Sequence, residues 1–113
     1  MSYGECCEPF HQGTKGPTAE RLMRSRYSAY ALGLDEYILS TWHPTTRPTD
    51  FAIDPDVRWY RLDILNRTAG GLLDSSGTVE FRAYFRSPSG SGDQHELSRF
   101  VRERGAWFYV DGS

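Results

Sequence analysis

Three groups of residues carry side chains able to do chemistry. Cys6-Cys7 with His11 is the first, near the start of the chain. Thiolate and imidazole are the ligands zinc prefers, and structural zinc takes four of them in a tetrahedron. Three leave the shell one short, so the competing reading is a pair of free thiols. Neighbouring cysteines make poor disulfide partners, because the bridge typically holds Cα atoms about 5.5 to 6 Å apart. Free thiols also suit a reducing cytoplasm.

Arg24, Arg26, Tyr27 and Tyr30 form the second group. A guanidinium fork beside phenol hydroxyls can hold an anionic ligand. On a helix, however, Arg24 and Arg26 lie on opposite sides, so one of them is solvated or paired with Glu20 or Asp35. For Arg26 the plain structural alternative is an ion pair with Glu80 or Glu96. The third group is His95-Glu96-Leu97-Ser98-Arg99, with His43 upstream. A histidine and a carboxylate in a semi-enclosed pocket can pass a proton. Strand alternation puts His95, Leu97, Arg99 and Val101 on one face and Glu96, Ser98, Phe100 and Arg102 on the other. His95 therefore cannot pair with Glu96, and a dyad requires His43 or His95 with Asp63 or Glu80. Arg26, Tyr30, His43, His95 and Arg99 are the candidate pocket residues; the competing reading makes them buried polar groups satisfied by their neighbours.

These residues must be positioned by regular elements. Residues 1–17 hold both cysteines without an apolar period and read as an arm. Thr18 is placed to cap a helix running to about Leu32, with Glu20 at its positive end and Gly33 as its stop. Leu22, Met23, Arg26, Tyr27, Tyr30 and Leu34 recur at helical spacing and share a stripe. Asp35 is placed to cap a shorter second helix. Pro44, Pro48 and Pro55, interspersed with threonines, make residues 44–56 a loop. From Val57 the pattern has period two, and the spacing predicts strands over 58–65, 78–86, 94–102 and 107–110. Short Gly- and Ser-rich turns between them favour an antiparallel meander, one face covered by the helices. The class is α+β.

Length and charge narrow the options. A chain of 113 residues supports one core. Its aromatic content of 14% supplies apolar area despite a polar composition. A net charge of −2 argues against a nucleic-acid partner, although Phe81-Arg82 and Tyr84 to Arg86 interleave rings with cations. No apolar stretch approaches the ~20 residues that span a bilayer.

The blocks Tyr3 to Gly13, Leu22 to Tyr30, Tyr37 to Pro44, Gly77 to Phe81, His95 to Phe100 and Trp107 to Gly112 resemble, in order, those of the YchJ family. The resemblance covers nearly the whole chain. It implies a bacterial protein with a cone-shaped nuclear-transport-factor-2-like (NTF2-like) domain over residues 18–113, its N-terminal helices packed on a curved antiparallel sheet; the free thiols add the expectation of a cytoplasmic location. It implies no reaction, because one fold hosts many functions. Residues 1–17 resemble the second half of the SEC-C zinc motif; the upstream Cys-x-Cys pair is missing, so the arm is expected to be a shortened one. Zinc at Cys6, Cys7 and His11 is expected only where that pair is present. In SecA-type proteins such a knuckle contacts a protein partner. Two functions follow as expectations: a non-enzymatic interaction module using the arm, or a pocket that binds a small molecule or transfers a proton as an isomerase, dehydratase or hydrolase. A homodimer through the open sheet face is compatible with either.

Overall fold

The computed structural model describes residues 18–112, in which two helices precede four strands. Helix α1 spans Ala19–Leu32 and α2 Asp35–Ser40; β1 spans Arg58–Ala69, β2 Ser76–Ser87, β3 Gly90–Glu103 and β4 Ala106–Gly112. The strands pair antiparallel in the order β1-β2-β3-β4. This is the meander that short turns allow.

Helix α1 begins and ends where its terminal residues dictate. The Thr18 hydroxyl accepts from the Arg21 amide at 3.2 Å, and Gly33 closes the helix in the left-handed region at φ 74°. Glu20, in the first turn, accepts from Arg24 at 3.0 Å and also pairs with Arg67 of β1. The second helix starts differently from the expectation. Leu34 occupies its cap position with no side-chain hydrogen bond, and Asp35 is already helical. Its carboxylate instead accepts the Ile53 amide at 3.2 Å, tying down the long loop before β1. The reason lies in the helix junction: the Leu34 amide is turned back onto Ala29 O at 2.9 Å, which fixes Leu34 as the joint.

The strands run longer than alternation alone predicts. β1 continues to Ala69, and the β2–β3 turn shrinks to Pro88-Ser89, because Gly90 and Gly92 still pair with Ser87 and Phe85. β2 alternates strictly, with Val79, Phe81 and Ala83 buried. These join Ala19, Leu22 and Met23 of α1, Phe100 of β3 and Trp107 of β4 in one core. The opposite sheet face carries charges, including Arg82–Asp93 at 3.5 Å and Arg99–Asp111. Two register shifts interrupt β1 and one interrupts the β3–β4 pairing. In the last, Val110 is the extra residue, so Tyr109 faces the helices while Asp111 reaches Arg99 on the other side. A bulge changes the face in this way by adding one residue to the period.

The start of α1 docks on a glycine seat. Gly70 has φ 77°, and the Ala19 amide donates to its carbonyl at 3.0 Å. A Cβ on Gly77 would stand 2.5 Å from the Gly70 backbone, closer than real side chains approach. Gly77→Ala is therefore expected to cost about 2 kcal/mol of stability, the middle of the range for overpacking, as measured by chemical denaturation.

Candidate functional site

Between α1 and the covered sheet face lies a cavity of about 140 Å³. An apolar cavity of ~150 Å³ is large enough for one benzene-sized molecule. Met23 and Tyr27 of α1, Trp59 of β1, and Phe81 and Ala83 of β2 give it apolar walls. Its polar groups are Arg26 and Tyr30 of α1, Gln94, Glu96 and Ser98 of β3, and Tyr109 of β4. Trp42 closes one side, and Phe51 from the long loop meets both Tyr30 and Trp42 edge-on at ring distances of 6.0 and 5.9 Å.

Arg26 is the unusual member, with 3% of its surface exposed. Its Nη1 donates to Ile38 O at 2.9 Å and to Thr41 Oγ1 at 2.7 Å. The guanidinium lies over the Tyr109 ring at 4.5 Å and beside Trp42 at 5.3 Å. Among the described residues no carboxylate comes within ion-pair distance of it, and nothing accepts from Nε or Nη2. The ion pair with Glu80 or Glu96 expected from sequence is thus not formed. Glu80 points to the outer face, and aromatic rings and a helix-end carbonyl stand where a carboxylate partner would. Burial pulls the Arg26 pKa down to about 10, with the neighbouring phenols and Glu96 opposing the shift.

Glu96 sits across the cavity on β3. Its Oε2 accepts from Ser98 Oγ and from the Tyr109 hydroxyl at 3.3 Å; its Oε1 accepts from Gln94 Nε2, also at 3.3 Å. A Cβ on Gly112 would overlap the Glu96 carboxyl, so the bare glycine leaves that carboxyl its place. Burial, followed by the Glu96 charge, raises the Tyr109 pKa, and burial raises those of Tyr30 and Tyr27.

The five pocket candidates are divided by the fold. Arg26 and Tyr30 line the cavity; His43, His95 and Arg99 do not. His95 Nε2 meets Glu80 Oε2 at 2.6 Å on the open sheet face, where Arg99 pairs with Asp111. His43 lies beside the long loop, bridging Thr45 at 2.7 Å and Glu103 at 2.9 Å. The cavity also takes Glu96, Ser98 and Tyr109, which lie outside the five candidates, although alternation groups Glu96 and Ser98 with Phe100. A phenylalanine in that set marks the inner face. Cys6, Cys7 and His11 lie outside the described residues, and among the described residues no three metal-ligating side chains converge.

The model of the YchJ middle NTF2-like domain matches residues 18–112, the helices, the sheet and the cavity together. The chain belongs to the YchJ family. A UPF0225 protein of Corynebacterium glutamicum is 50% identical over 113 residues, covering 99% of this chain and 90% of the relative. Another from Streptomyces coelicolor is 51% identical over 112 residues, covering 98% and 87%. Among solved structures, a SEC-C motif containing protein from Rhodopseudomonas palustris superposes with a TM-score of 0.85 at 35% identity, covering 99% of this chain and 91% of that one. One from Psychrobacter arcticus gives 0.81 at 34% identity, covering 98% and 71%. The α+β, NTF2-like fold expected from the sequence is thus the family's fold.

The raised tyrosines give this site a spectroscopic signature. In the folded protein Tyr27, Tyr30 and Tyr109 stay protonated as the pH passes 10, whereas the unfolded chain ionises them there. The folded form then binds more protons, so these groups make stability fall as pH rises above 10. Ultraviolet difference titration is expected to show fewer phenolates in the native protein than in denaturant at the same pH. Tyr109→Phe should leave the early native amplitude unchanged; a smaller amplitude would place Tyr109 among the freely ionising phenols.

Proposed function

We propose that the domain binds a compact small molecule in this cavity, with an acceptor head group on Arg26 and an apolar body between Trp59, Phe81 and Met23. The observation that supports this most is the buried guanidinium left without a carboxylate at the wall of an apolar cavity. A desolvated cation is expensive unless paired, and two of its nitrogens point to no described acceptor. Trp42 adds a buried indole N–H that has no partner among the described residues. The histidine–carboxylate pairs that proton transfer would use, His95–Glu80 and His43–Glu103, are formed by residues outside the cavity wall, so binding is favoured over catalysis. Titrating benzoate while following nuclear magnetic resonance shifts is expected to move the Met23 and Ala83 methyls and the Trp42 and Trp59 indoles saturably. Shifts confined to His95, Arg99 and the outer face would overturn the reading. Ala83→Leu, which fills the cavity, should abolish those shifts; should that variant fail to fold, the wild-type map decides.

A second reading rests on the solved neighbours that carry the SEC-C name and on Cys6, Cys7 and His11 in this chain. Under it, residues 1–17 hold zinc and contact a protein partner. Elemental analysis is expected to find about one zinc per chain in a version extended upstream by a Cys-x-Cys pair, and clearly less in the 113-residue chain. Equal zinc in both would remove the need for the upstream pair.

A further inference from the structure

Two opposite charges face one apolar cavity, and neither is neutralised by a direct contact with the other. On one side, Arg26 has committed Nη1 to Ile38 O and Thr41 Oγ1, which leaves Nε and Nη2. Those nitrogens form one edge of the guanidinium, the edge that takes a carboxylate through two parallel hydrogen bonds. On the other side, Glu96 has committed Oε2 to Ser98 and Tyr109, while Oε1 holds only a long bond of 3.3 Å from Gln94. Tyr109 sets the spacing between the two: the guanidinium lies over its ring at 4.5 Å, and its hydroxyl reaches the carboxylate at 3.3 Å.

We infer that the ligand is a compact zwitterion of the amino-acid type, its carboxylate on the Nε–Nη2 edge of Arg26, its ammonium on Glu96 Oε1, and its side chain against Trp59, Phe81 and Ala83. This rests on the small-molecule reading and narrows it. A monoanion would satisfy Arg26 and meet the field of Glu96; a monocation would do the reverse. Between largely apolar walls both conflicts are stronger than in bulk water, whereas a zwitterion satisfies both groups at once. The bare Gly112 behind Glu96 belongs to the same arrangement, since a side chain there would push the carboxylate from its place.

The test uses one ring with three charge patterns on the full chain at neutral pH: L-phenylglycine, benzoate and benzylamine, each titrated calorimetrically. Phenylglycine is expected to bind at least about tenfold more tightly than either singly charged compound. In Glu96→Gln, which keeps a side chain able to bond Ser98 and Tyr109, phenylglycine and benzoate should come within about threefold of each other. Benzoate binding the wild type as tightly as phenylglycine would overturn the zwitterion and leave the small-molecule reading standing. Binding of none of the three would overturn both. An undiminished preference in Glu96→Gln would show that Glu96 does not receive the ammonium, and would also overturn the inference. Should that variant fail to fold, the wild-type series decides.

Discussion

A buried guanidinium, Arg26, is the group around which both helices and the last strand of this domain meet. Arg26 leaves α1 and reaches the last carbonyl-bearing turn of α2 at Ile38, the Thr41 hydroxyl, and the face of Tyr109 on β4. The chain around Thr41 is stitched to the same strand: Tyr109 donates to Thr41 O at 2.8 Å, and His43 donates back to Tyr109 O at 2.7 Å. Cation, helix end and strand therefore hold one another. Hydrogen bonds to a charged donor and cation–π contacts strengthen in a low-dielectric setting, and they offset part of the desolvation cost. What they do not supply is a negative charge. Arg26 therefore lines the cavity as a cation held by rings and neutral oxygens.

Local structure was readable wherever one residue decides it. Thr18 and Gly33 mark the ends of α1, and β2 alternates so regularly that its buried set could be written from sequence. Other features depend on partners far along the chain. Asp35 has the right chemistry for a cap, but the Gly33 turn makes Leu34 the joint, and the carboxylate is free to hold Ile53. Period two separates the residues of β3 into two faces without saying which is inner. Taking the histidine face as the pocket side placed His95 and Arg99 in the site; Phe100 in the other set marks the inner face. The bulge at Val110 is invisible to any period, and it is what turns Tyr109 inward while sending Asp111 outward.

Sequence places Arg26 in the pocket and also within reach of a carboxylate; the fold keeps the first and not the second. Sequence shows which charges exist; it does not show which of them a fold can bring within 4 Å. Glu80 and Glu96 are both on the sheet, yet one faces His95 on the open side and the other is separated from Arg26 by Tyr109. The open face bears on the homodimer expected there. Its polar and charged side chains already have partners across strands, Glu80 with His95, Arg82 with Asp93 and Arg99 with Asp111. A second copy covering them would have to desolvate pairs that are content in water, so such a contact would have to draw its energy from Leu97, Tyr60 and Tyr84 between them.

The short parallel bridge of Trp42 to Tyr109 has a further effect on how copies of the domain meet. It occupies part of the free flank of β4, so among the described strands β1 is left as the longer invitation to a foreign strand. There the repeat of amides and carbonyls is broken twice, after Trp59 and after Ile64. An incoming strand would lose register within a few residues at each break. The domain is thus guarded against growing into ribbons by irregularity on one flank and by a tryptophan backbone on the other.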